Sequence, residues 1–129
     1  MVGFATGTVE IGDTTLLVAV ADTPQLRNRG LREVGELGDL DGMVFVFEEA
    51  VPVWFTMQDT LIPLDLLVVS SESLMVRRIE MVPCQGTPCP LYPTEEATAF
   101  AVEVPAGAFP EIAPGMRFSI KQVAVGADD

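Results

Sequence analysis

A chain of 129 residues with 49% apolar content fits one domain with one core, and no apolar run approaches the ~18 residues of a membrane span. A formal charge of −12, from 19 acidic residues against six Arg and the single Lys121, repels polyanions and excludes nucleic acid and anionic lipid as favoured partners. The chain has no histidine, which removes imidazole-based triads, metal ligation by imidazole and an imidazole pH switch together.

Met1-Val2-Gly3-Phe4 shows no basic stretch followed by a long apolar region, so no secretory signal is read there; a trimmed, exported mature domain would look the same. Thr8–Ile11 and Thr15–Val20 flank Gly12-Asp13-Thr14 and predict a hairpin, because Gly and Asp tolerate the positive φ of tight turns. Thr23 suits a helix N-cap, Pro24 the first helical position and Gly30 the C-terminal stop, so one short helix is expected from Pro24 to Arg29. A turn-rich stretch from Gly35 to Gly42 leads into Met43-Val44-Phe45-Val46-Phe47, apolar on both faces and therefore a central buried strand. A second such run follows Pro52, from Val53 to Met57. Leu66–Val69 and Leu74–Val82 read as a half-exposed antiparallel pair.

Four prolines and both cysteines between Pro83 and Pro93 predict an ordered loop in place of a ladder strand. Thr98–Val104 resumes the strand pattern, Phe109–Ile112 reads as one helical turn, and Met116–Val125 as the last strand. Seven or eight short strands give a mainly β domain spanning residues 1–129, an antiparallel sandwich or partly closed barrel with one short helix near residues 24–30.

Candidate chemistry concentrates between Trp54 and Asp65. Asp65 stands between Leu64 and Leu66, so burial and a hydrogen-bonding partner are expected; with Asp59 it either accepts backbone N–H bonds that fix the Ile62-Pro63 connection or lines a cleft. Trp54 and Phe55 point to opposite faces of a strand, one into the core and the other available as a stacking platform or as plain surface packing. Arg27, Arg29 and Arg32 either form a solvated helix face or complete a mixed-charge site with Asp59, Asp65 or Glu103. Glu103 shares its strand face with Ala99 and Ala101, which leave room for a ligand or mark the solvent side. Cys84 and Cys89 admit a disulfide, free thiols or a metal site; two thiols alone do not complete a zinc shell, so no metal is assigned.

The ordered set Gly30-Leu31, Gly42-Met43-Val44-Phe45 with Phe47, Met57-Gln58-Asp59-Thr60-Leu61-Ile62-Pro63-Leu64-Asp65, Pro83-Cys84 with Cys89 and Tyr92, then Glu103-Val104-Pro105-Ala106-Gly107 and Gly115 resembles the bacterial and archaeal family "domain of unknown function 192", from about Val9 to Ile120. The resemblance implies a compact β-sandwich or barrel, often exported or lipid-anchored, with no established reaction. This chain departs from the family pattern in carrying Thr56 where a Trp is usual, with Trp54 two places earlier on the same strand face. It also has Arg32 after the Gly-Leu pair, where Met is frequent, and Asp59 where Asn is common. The retained Pro-Cys and Cys-x-x-Tyr pattern favours a structured, disulfide-closed loop.

The leading functional expectation is a binding module that holds a small polar ligand, saccharide- or peptide-like, with Trp54, Asp59, Thr60, Asp65, Tyr92 and Glu103 as candidate contacts and no cofactor. The alternatives are a hydrolase using a carboxylate pair no more than about 10 Å apart, and an assembly module that would show a large apolar patch. An exported setting is slightly favoured over a cytoplasmic one.

Overall fold

The computed structural model describes residues 3–123. The strands are β1 (Ala5–Ile11), β2 (Thr14–Ala21), β3 (Gly42–Val51), β4 (Trp54–Thr56), β5 (Leu64–Val69), β6 (Met75–Met81), β7 (Leu91–Pro93), β8 (Thr98–Pro105) and β9 (Phe118–Val123), with the helix α1 (Pro24–Arg29) between β2 and β3. Seven of the strands form one sheet in the order β6-β5-β8-β3-β2-β1-β9; β4 and β7 pair separately.

The first hairpin forms as the sequence predicts, with Ile11 opposite Thr14 across the two-residue loop Gly12-Asp13 and Gly12 at φ +60°. The helix also matches its predicted span. The Thr23 hydroxyl accepts the Leu26 N–H at 3.1 Å, and Gly30 ends the helix at φ +50° by donating its N–H to the Leu26 carbonyl. Because α1 carries the chain across the sheet, β3 returns beside β2 in the same direction. The sheet is therefore mixed, not wholly antiparallel, since a parallel neighbour requires a crossover and a tight hairpin cannot provide one.

Alternation along the strands sorts side chains onto two faces. One face carries Val9, Ile11, Leu16, Val18, Val20, Val44, Leu67, Val69, Met75, Val102, Val104, Ile112 and Phe118 in a single cluster. Phe118 and Val9 come from one end of the sheet and Met75 and Leu67 from the other, so the sheet must curl for them to pack together. A bridge between Leu74 and Arg117 ties the two edges at one end, giving the partly closed barrel expected from the strand pattern. The other face carries Ala19, Ala21, Met43, Phe45, Leu64, Leu66, Val68, Met81 and Ala101. It is covered by Leu26, Leu31, Val34, Leu37, Phe55, Met57, Ile62 and Tyr92 from α1, the 31–40 connection and the β4–β7 layer.

Several sequence expectations are corrected by this arrangement. Val53–Met57 is not a second central strand; only Trp54–Thr56 is extended, and it pairs with β7 in the covering layer. Leu91–Pro93 is consequently a strand inside the predicted loop, with Pro93 at its last residue, where a missing N–H does least harm. β5 is not half-exposed: all six of its residues are buried, because it lies between β6 and β8 with both faces covered. Phe109–Ile112 forms a hydrogen-bonded turn, with Ile112 N–H donating to the Phe109 carbonyl, in place of a helix. The last strand begins at Phe118, and the predicted end at Val125 lies outside the described residues.

Candidate functional site

Five polar or charged side chains are buried among the described residues: Thr60, Asp65, Thr94, Thr98 and Glu103. Burial of such groups is tolerable when they are hydrogen-bonded, and an unsatisfied one costs roughly 1–3 kcal/mol. Three of the five are satisfied. The Thr94 hydroxyl accepts the Val53 N–H at 3.0 Å, Thr98 donates to the Glu96 carbonyl at 2.8 Å, and Asp65 has two donors. Glu103 and Thr60, each 4% exposed, have no side-chain hydrogen bond to any described residue. Both line the same cavity.

That cavity measures about 340 Å³ and lies between the end of α1 with its following residues and the start of β4, on the covered face of the sheet. Its floor follows from strand register. Glu103 on β8 stands opposite Met43 of β3 on one side and Leu66 of β5 on the other, so its carboxyl points to the covered face among apolar neighbours. Burial pushes its pKa from the ordinary 4.5 up to about 8, and the carboxyl is protonated at neutral pH. Of the two readings of the Ala99-Ala101-Glu103 face, the solvent side is excluded.

Phe45, Phe47, Phe55 and Trp54 form the aromatic wall. Phe55 meets Phe45 edge-on at 5.1 Å and Phe47 at 6.3 Å between ring centroids. Within β4, Phe55 is the ring committed to the core, while Trp54 is 67% exposed at the cavity's edge. Trp54 and Thr56, two residues apart on one face of β4, both line the cavity.

The arginine side is supplied by Arg27, Arg29 and Arg32. Arg27 donates to the Val46 carbonyl at 2.7 Å and to both carboxylate oxygens of Glu48, and its guanidinium stands over the Phe47 ring. Arg29 stacks over Phe4 at 4.7 Å. Arg32 meets Asp59 at 3.8 Å, an ion pair beyond hydrogen-bonding distance. Arg27 and Arg32 thus meet acidic partners, while Arg29 is exposed at the end of α1.

The structure brings together Trp54, Thr60 and Glu103 from the sequence candidates and sets the others apart. Asp65 lies on the opposite face of β5 from Leu64 and Leu66, where it accepts Arg78 Nη1–H at 2.8 Å and the Gly107 N–H at 3.0 Å. Arg78 also donates to the carbonyls of Phe109 and Ile112, so this group pins the 105–112 turn to the sheet. Asp65 and Glu103 therefore face opposite sides of one sheet and do not form a carboxylate pair. Asp59 adopts φ +60°, a conformation that Asp and Asn tolerate better than most residues; its N–H donates to the Cys84 carbonyl and its carbonyl accepts the Glu33 N–H. An Asn or Asp at this position is accounted for by backbone conformation. Tyr92 packs on the covering layer, its hydroxyl accepting the Val82 N–H at 3.3 Å, and is not part of the cavity wall.

Cys84 and Cys89 form a disulfide. Cys84 also bridges to Gln58 and Thr60, so the closed loop holds the segment that delivers Thr60 to the cavity. Among the described residues no group of three or more Cys, Asp or Glu side chains could hold a metal ion. No helix among them is long and apolar enough to cross a membrane.

With the site's geometry in view, the model of the family DUF192, described as "Uncharacterized ACR", matches residues 7–120. The chain belongs to this family. Two crystal structures share its fold. One, a candidate transcription regulator from Sinorhizobium meliloti 1021, superposes with a TM-score of 0.82 at 26% identity, covering 93% of this chain and 97% of that one. The other, a protein of unknown function from Novosphingobium aromaticivorans DSM 12444, has a TM-score of 0.81 at 25% identity and covers 92% of this chain and 88% of its own. No match is found among curated proteins. In this DUF192 member, sequence reasoning missed Phe45 and Phe47 as cavity walls. Their spacing of two places them on one strand face, but the continuous apolar run around them hid that face among core residues.

Proposed function

We propose that this domain binds a small polar ligand in the cavity between α1 and β4, over the floor made by Glu103. The observation that carries the reading is the pairing of two buried, unsatisfied polar side chains, Glu103 and Thr60, in one cavity, while the other buried polar side chains have partners. Unsatisfied polar groups are retained at a cost in stability, and a ligand that bonds to them recovers that cost. Trp54 at the edge, with Phe45 and Phe55 behind it, supplies apolar area for the ligand's body.

Binding is favoured over carboxylate-pair hydrolysis because Asp65 is engaged by Arg78 on the other face of the sheet and Asp59 does not line the cavity. Glu103 is left as a lone carboxyl in the cavity. A nucleic-acid role, as the description of the Sinorhizobium protein suggests for that protein, finds no support in a chain of net charge −12. The Cys84–Cys89 disulfide supports an exported setting, since cytosolic thiols are kept reduced.

A fragment screen read by amide chemical shifts tests the reading. Binders are expected to move the amides of Phe45, Phe55, Thr60 and Glu103 together, and replacing Trp54 with Ala should weaken them. Shifts that gather elsewhere, or an absence of saturable binders, would overturn it.

A further inference from the structure

The ligand's chemical class follows from how Arg32 and Thr60 are placed, an inference that rests on the cavity being a ligand site. These two residues form an isolated antiparallel bridge. Residues directly opposite in such a bridge carry their side chains on the same side, with Cβ atoms about 4.5–5.5 Å apart. Both line the cavity. The Thr60 hydroxyl is buried with no side-chain hydrogen bond to a described residue, and the Arg32 side chain, 35% exposed, meets Asp59 only at 3.8 Å. A guanidinium and a hydroxyl that line one cavity from bridged positions supply donors suited to the two oxygens of a carboxylate. Three of the cavity's four ionisable wall residues are arginines, in a chain that has only six; Arg27 among them is held by Glu48.

We propose that the cavity takes a small organic acid, its carboxylate held between the Arg32 guanidinium and the Thr60 hydroxyl and its apolar body laid against Phe45 and Phe55, above the Glu103 carboxyl. A cationic ligand would instead have to seat itself among the arginines and ionise Glu103. A free amine and a free acid therefore have opposite expectations at this site.

The groups around Glu103 also give the acid a pH signature. From the covering layer the charged groups lining the cavity with it are Arg27 and Arg29 of α1 and Arg32 beyond it; β3 presents Met43 and Phe45, and β5 presents Leu66. Burial alone raises the Glu103 pKa to about 8, so the carboxyl is a neutral donor at pH 6.5 and an anion at pH 9. A bound carboxylate is repelled in the second state and a bound ammonium is attracted.

Three probes with the same phenyl body decide the matter: phenylacetate, phenylacetamide and phenethylamine, titrated into the full chain with Trp54, the sole tryptophan, as fluorescent reporter. At pH 6.5, phenylacetate is expected to bind saturably and about tenfold or more tighter than either other probe, the weight of one charge-assisted hydrogen bond. Its affinity should fall between pH 6.5 and 9, and Arg32→Gln and Thr60→Val should each erase the preference. Equal or tighter binding of phenethylamine or phenylacetamide overturns the acid assignment and leaves the cavity as a binding site. Failure of all three while other fragments bind the cavity also overturns the acid assignment alone. Failure of every fragment removes both readings. The probe comparison uses the unaltered chain, so it stands even if a variant does not fold.

Discussion

Replacing Glu103 with Gln tests the central energetic claim about the cavity floor. The wild-type carboxyl releases its proton near 4.5 in the unfolded chain and near 8 in the native one. Between those values the native state binds more protons than the unfolded state, so stability is full below about pH 4.5 and is lost as pH rises toward 8. Each tenfold step in proton affinity is worth about 1.4 kcal/mol, which places the loss at about 3 kcal/mol at pH 7 and roughly 5 kcal/mol once the native carboxyl has also ionised. Gln has nearly the same shape and no charge to develop. The Glu103→Gln variant should therefore match the wild type to within about 1 kcal/mol at pH 5 and exceed it increasingly toward pH 8. Urea unfolding of both proteins at pH 5, 6, 7 and 8 measures the gap directly, because titration of the remaining carboxylates cancels in the difference. Parallel stability curves across this range, or a variant that loses ground as pH rises, would refute the burial of an unpartnered carboxyl.

Two further outcomes follow from the satisfied polar groups and the closed loop. Asp65→Ala strands Arg78, whose side chain is 22% exposed, beside the carbonyls of Phe109 and Ile112, and should destabilise the fold by about 3 kcal/mol in denaturant unfolding with the cavity's ligand affinity little changed; a large loss of affinity in folded protein would show that Asp65 belongs to the site after all. The double replacement Cys84→Ala with Cys89→Ala removes a crosslink around a short loop, worth about 2 kcal/mol by loop entropy. It should also loosen probe binding because Cys84 bridges to Thr60, and calorimetric Tm with a fluorescence titration checks both effects.

The parts of the fold that depend on local chemistry were legible in the sequence. The Gly12-Asp13 turn, the Thr23-Pro24-Gly30 helix limits and the strand cores of the seven-stranded sheet follow from backbone preference and periodicity, which neighbouring residues suffice to impose. The ordered motifs from Gly30 to Gly115 located the family, and the spacing of the cysteines allowed the disulfide as one of several outcomes.

Tertiary structure decided what depends on which strands become neighbours. Asp65 and Glu103 are both acidic residues within apolar strand stretches, and nothing local distinguishes their roles. Pairing β5 with β8 puts Leu66 opposite Glu103, so alternation sends Asp65 to the other face, where Arg78 and the Gly107 N–H meet it. The parallel β2–β3 pair required the crossover through α1, and the same helix then brings its arginines over the Phe45 and Phe47 face. The segment from Trp54 to Asp65, chemically conspicuous in the sequence, is thereby divided: Trp54 and Thr60 go to the cavity, Asp59 to a left-handed backbone position and Asp65 to an ion pair that anchors a turn. The sequence alone pointed to the burial of Asp65, because apolar neighbours flank it; the burial of Thr60 and Glu103 came with the tertiary structure. Which of them would be left without a partner was set by strand order and register, since hydrogen-bond partners distant in sequence meet only when the sheet has formed.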